Sequence, residues 1–123
     1  MRRRDEERLD DIDAAILAIA GYLKRGDLGD GLIFDAVRVR LIEIGEAVKG
    51  ISPELLEDEA EIPWQDVAGM RDRLAHHYFD TSHAIVQATV DRDLPILKAG
   101  VDRLRQRAAE SSTAEDSVLR SEN

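Results

Sequence analysis

One short stretch concentrates the side chains of this sequence that could do chemistry: Arg71-Asp72-Arg73-Leu74-Ala75-His76-His77-Tyr78. It holds a permanent cation, an imidazole that titrates near neutrality and a phenol. Those are the parts for phosphodiester chemistry without a metal. A His moves a proton in the transition state. An Arg fork holds a phosphate and takes up its growing negative charge. Asp72 and His76 stand four apart, so on a helix they share a face one turn apart, where the carboxylate could fix the imidazole tautomer. Arg71 and Tyr78 also share a face. Arg71 and His76 are five apart, roughly 140° around an ideal helix. Both reach one phosphate only if the helix ends between them or if a symmetry mate supplies a second copy. A two-fold dimer with this helix end near its axis would bring two Arg and two His into one cleft. The same residues also fit a plain helix end, where His is favourable through the dipole. On that reading His77 is an exposed or interface residue. His83 reads as an N-terminal helix residue.

Other chemistries find no support. His76 and His77 are adjacent, about 100° apart on a helix, and cannot share a metal simply. His-Glu-x-x-His is absent, as are Gly-rich phosphate loops and Gly-x-Ser-x-Gly. There is no Cys, which excludes disulfides and thiolate metal sites. No metal site and no bound cofactor is expected.

The elements that must position the cluster follow from periodicity. The chain has 123 residues, which suits one domain. Aromatics are 4% of it, so the core must be aliphatic. Leu9, Ile12, Ile16, Ile19 and Leu23 mark one face of a helix over about 5–24, with Asp10, Asp13 and Lys24 on the other face. Gly26 and Gly29 stop it. A second helix over about 32–51 has a wide stripe of Ile33, Ala36, Val37, Leu41, Ile44, Ala47, Val48 and Ile51, with Arg40 inside it. Such a helix packs on two sides or forms an oligomer interface. Glu46 lies near that apolar surface, either as a plain surface carboxylate or as one pointing into a site or pairing with Arg. Ser52-Pro53-Glu54 starts a short helix, with Ser52 as its cap. The acidic run from Glu54 to Asp66 reads as a solvated loop. A third helix runs from Pro63-Trp64 to about Tyr78. The last segment, about 83–108, carries Ile85, Val86, Val90, Leu94, Leu97, Val101 and Leu104. Pro95 inside it should kink one helix or start another. The expected architecture is an all-α bundle of four to five helices over 1–109, with a disordered acidic tail over 110–123.

The formal charge is −9, which argues against broad coating by nucleic acid. Most acidic residues lie outside the cluster, at Asp5–Asp13, Glu54–Asp66 and Glu110–Glu122, and distant charge is screened beyond about 8 Å. A local cleft that handles RNA is therefore compatible with it. No apolar run approaches the roughly 20 residues of a membrane span. Met1-Arg2-Arg3-Arg4 is followed by acidic residues and not by an apolar stretch, so the expectation is a cytoplasmic protein without membrane association.

Arg71, four residues, His76, one residue, Tyr78 resembles the Arg-x4-His-x-Tyr signature of HepT-like proteins in the HEPN superfamily. Trp64 to His76 is similar to that family's Trp-x5-Met-Arg-Asn/Asp-x-x-x-His stretch. Ile42-Glu43-Ile44-Gly45-Glu46-Ala47 resembles its Ile-Gly-Glu-Ala helix, and Asp93-Leu94-Pro95-x-Leu97 its Leu-Pro-x-Leu element. The likeness covers about Leu9 to Leu104. It implies an all-α, HEPN-type homodimer with the motif in a cleft at the two-fold. It implies a metal-independent endoribonuclease toxin of a type VII toxin–antitoxin system, cutting tRNA or mRNA to a 2′,3′-cyclic phosphate. Arg71 would stabilise the scissile phosphate and His76 would be the general acid or base. Asp72, His77 and Glu46 would support them. An MntA-type nucleotidyltransferase antitoxin would move AMP from ATP onto Tyr78 and silence the toxin. The alternative is a non-catalytic helical subunit that binds substrate for a minimal nucleotidyltransferase.

Overall fold

A computed structural model describes the backbone of residues 1–76 and 79–122, and side chains throughout except 79–80 and 111–122. The elements are α1 (Arg3–Arg25), α2 (Gly31–Lys49), α3 (Pro53–Leu56), α4 (Trp64–Ala68), α5 (Met70–Ala75), α6 (Phe79–Ala88) and α7 (Leu94–Glu122). A 3₁₀ turn, Glu57–Glu59, extends α3, and a π turn, Thr89–Asp93, joins α6 to α7. Among the described residues the fold is all-α.

Helix α1 matches its own dipole, with Asp5 and Glu6 in the first turn and Lys24 and Arg25 in the last. It buries Leu9, Ile12, Ile16 and Ile19. The following turn is built by aspartates. Asp27 accepts from the Gly29 N–H at 2.8 Å, and Asp30 caps α2 by accepting from the Leu32 N–H at 2.9 Å. Helix α2 returns along α1 and contributes Ile33, Phe34, Val37, Leu41, Ile44, Ala47 and Val48 to the core. Val86, Leu94, Leu97, Val101 and Leu104 close it from α6 and α7. Each such buried side chain stabilises the fold by about 1.5–3 kcal/mol relative to exposure. Among the described residues no helix is long and apolar enough to cross a membrane.

The structure differs from the sequence expectations in four places. The segment expected as one helix from Pro63 to Tyr78 is two helices, broken at Gly69, where φ −81° and ψ 7° leave the helical region. The acidic run is not a solvated loop: α3 and the 3₁₀ turn fill its first half, and Glu59 takes Arg103 and Arg107 of α7. Trp64 fixes this region, donating its indole N–H to the carbonyls of Leu56 and Glu59 at 3.1 and 3.0 Å. Ser52 does not cap α3. Its hydroxyl donates to Asp5 at 2.5 Å, and its N–H donates to the same carboxylate at 2.9 Å. Asp13 is not a free polar-face residue, because Lys98 and Arg105 hold it from α7.

Pro95 falls where the sequence expects a helix to start: α7 begins at Leu94, and Pro95 is its second residue. A proline clashes with the carbonyl four residues back. The π turn widens the backbone there, with the Leu94 N–H bonded to the Thr89 carbonyl, and the Thr89 hydroxyl satisfies the Ile85 carbonyl at 2.7 Å. Helix α7 itself runs on to Glu122.

Candidate active site

Helix α5 carries Arg71 in its first turn and ends at Ala75. Its place is set by Gly45 on α2. A β-carbon on Gly45 would stand 2.5 Å from the Val67 carbonyl oxygen and 3.3 Å from that of Ala68. Only glycine lets α4 approach this closely, and Met70, fully buried, follows directly. Arg71 is thereby carried to the edge of an open groove of about 730 Å³. Arg8, Asp11, Ala14, Ala15 and Ala18 of α1 form one side, with Arg40, Ile42, Glu43, Glu46 and Ala47 of α2. The structure thus brings Arg71 and Glu46 into one groove.

The groove balances its charges in loose pairs. Arg40 donates from Nε to the Tyr22 hydroxyl at 3.0 Å and from Nη1 to Glu43 at 2.9 Å. The Tyr22 bond, then the Glu43 carboxylate, hold its guanidinium above the ordinary arginine range. Glu46 meets Lys49 at 3.3 Å, and Arg8 meets Asp11 at 3.5 Å. Arg8 Nε is buried without a partner among the described residues. Arg71 is exposed, and its guanidinium has no ion pair or hydrogen bond with a described residue.

His76 stands at the end of α5. Its N–H donates to the Asp72 carbonyl at 3.2 Å, and φ −99° and ψ 11° take it out of the helix. Helix α5 thus ends between Arg71 and His76. His76 and Asp72 are both exposed, outside the groove lining. Among the described residues no hydrogen bond joins the Asp72 carboxylate to the His76 ring; their link is through the main chain. His77 and Tyr78 lie outside the described residues. His83 lies within α6 and not at its first residue, with its ring stacked on Phe34 at 5.4 Å and Nε2 3.0 Å from the Leu28 carbonyl.

The family profile described as ribonuclease HepT-like matches residues 9–104. The chain belongs to the HepT-like ribonuclease family. A "probable ribonuclease HepT" of Thermococcus cleftensis is 34% identical over 110 residues, covering 86% of this chain and all of that protein. A protein of Caldanaerobacter subterraneus subsp. tengcongensis, named as a candidate RNase, is 40% identical over 70 residues, 56% of this chain and 62% of its own length. A candidate RNase of Methanocaldococcus jannaschii is 39% identical over 67 residues, 54% of this chain and 55% of its own. The chain thus spans between about a third and all of the length of the relatives it matches. No solved structure matches.

Within this HepT-like domain, Arg8 and Tyr22 escaped sequence reasoning. Arg8 sits in an alternating run of charges that looks like any solvated face. Arg40 left a signal, a cation interrupting the apolar stripe of α2, but its partner Tyr22 is 18 residues away and invisible to local pattern.

Proposed function

We propose that this chain is a metal-independent endoribonuclease, the toxin of a type VII toxin–antitoxin pair, acting in the cytoplasm as a homodimer on tRNA or mRNA. The observation that carries this reading is the placement of Arg71 and His76 on either side of the end of α5, both exposed, with the Arg71 guanidinium unpaired among the described residues. An unpaired guanidinium keeps its whole fork for a phosphate. His76 takes the proton from the ribose 2′-OH, and the 2′-oxygen attacks the adjacent phosphorus. Arg71 stabilises the charge that builds on the non-bridging oxygens. The bond to the 5′-oxygen breaks, and that oxygen takes a proton, supplied by the His76 of a second copy. The products are a 2′,3′-cyclic phosphate and a 5′-hydroxyl. Tyr78 is the site at which an MntA-type nucleotidyltransferase places AMP from ATP, with pyrophosphate leaving.

The test is RNA cleavage by the purified protein in EDTA, compared with Arg71→Ala and His76→Ala. Cleavage in EDTA by the wild type alone, ending in cyclic phosphate, supports the reading. An inert and harmless unmodified wild type overturns it. Mass spectrometry after co-expression with the antitoxin locates the adduct, and a site other than Tyr78 removes that assignment.

A further inference from the structure

We infer that Ser82 and His83 form a brace that positions His76, a role that rests on the reading of His76 as the general acid and base. The Leu74 carbonyl, in the last turn of α5, accepts a hydrogen bond from the Ser82 hydroxyl at 3.3 Å, although Ser82 lies on the next helix. Ser82 is buried, 5% exposed, so this bond is shielded from water. It ties α6 to the residue two positions before His76.

The next residue fixes the other end of the brace. His83 Nε2 is 3.0 Å from the Leu28 carbonyl oxygen. A carbonyl only accepts, so Nε2 carries the hydrogen and donates it. The ring lies flat against Phe34, with centroids 5.4 Å apart and planes 6° from parallel. Leu28 and Phe34 are both buried in the core, 3% exposed each. Ser82 therefore grips the end of α5, while His83 grips the rigid α1–α2 hairpin. His76 itself is exposed and has no side-chain bond to hold it among the described residues. The brace supplies through the backbone the orientation that the residue lacks locally. An exposed general acid and base otherwise samples many positions, and an error of about 1 Å at such a group costs up to 100-fold in rate.

The experiment compares Ser82→Ala, His83→Phe and His83→Gln with the wild type. His83→Phe keeps the stacking and removes the donor; His83→Gln keeps a donor that reaches the carbonyl. Steady-state cleavage of a short fluorogenic RNA, thermal midpoints and the His76 ring signal in a carbon–proton NMR correlation spectrum are recorded. The expected result is a fall in kcat of about 10-fold for Ser82→Ala and His83→Phe, with KM within about twofold. His83→Gln should retain most of kcat, and the His76 signal should move in the first two variants only. A kcat loss no larger than the unfolded fraction at the assay temperature, with an unmoved His76 signal, overturns the brace. If the wild type cleaves no RNA, the ribonuclease reading fails, and the His76 signal alone decides whether the brace exists.

Discussion

The two sides of α1 handle charge in opposite ways. Toward α7, carboxylates are gripped. Asp13 accepts Lys98 at 2.8 Å and Arg105 at 2.9 Å with its side chain 18% exposed. Glu59 takes Arg103 and, at 2.8 Å, Arg107 with its side chain 12% exposed. The hydrogen bonds from Lys98 and Arg103 respectively hold these carboxyls below the usual range, against the opposing effect of burial. Toward α2 and α5, Arg40 and Glu43 meet at 2.9 Å within one helix, the Glu46–Lys49 and Arg8–Asp11 pairs are longer, at 3.3 and 3.5 Å, and Arg71 has no described partner. Charges satisfied within the fold hold helices together. Charges left open retain their capacity for a ligand.

The sharpest way to break this contrast is at the open side. Arg71→Ala and His76→Ala should each lower RNA cleavage by about 100-fold or more. Both side chains are exposed, so the stability measured by chemical denaturation should stay within about 0.5 kcal/mol of wild type. A variant that loses activity and stability together would return the residue to a structural role.

Gly45→Ala tests what holds the open side in place. Its β-carbon would meet the Val67 carbonyl oxygen at 2.5 Å, so α4 must shift away from α2. Overpacking of this kind costs about 1–3 kcal/mol. The denaturation midpoint should fall accordingly, and cleavage should fall further than the unfolded fraction explains, because Arg71 moves with α4 and α5.

The gripped side should reveal itself in acid. Carboxyls lowered in the folded state contribute stability that is fully present above their unfolded values, roughly 4. That contribution is lost as pH falls through the lower folded values. The thermal midpoint of the wild type should therefore drop steeply below about pH 4. An Asp13→Asn, Glu59→Gln double variant should start about 1–2 kcal/mol lower at neutral pH and show a flatter acid limb. Equal slopes in the two proteins would show that these carboxylates do not carry the closed side.

These two sides were not equally legible in the sequence. The apolar stripes of α1, α2 and α7 were readable because helical burial repeats every three to four residues. The cluster at Arg71 and His76 was readable because its residue types and spacing are contiguous. Glu46 was readable beside the stripe of α2, although nothing local says that it shares a groove with Arg71. The grips on Asp13 and Glu59 were not readable, since the partners stand 85 and 44 residues away. The break at Gly69 was hidden for a related reason. A glycine in a periodic segment is tolerated locally, and only the approach of α4 to Gly45 shows why the chain turns there.

The smallest effect belongs to a charge pair that neither side uses. Arg3 and Glu7 stand one turn apart at 3.4 Å, with side chains 92% and 65% exposed. Water screens such a pair, and ordering two long side chains offsets most of its attraction. Arg3→Ala should leave cleavage unchanged and shift stability by no more than about 0.3–0.5 kcal/mol, less again at high salt. Denaturation with and without added salt checks this. A larger loss would mean that proximity alone stabilises this protein, and the contrast between gripped and open charges would then lose its physical basis. A null result ties that contrast to burial and to bonds between distant elements.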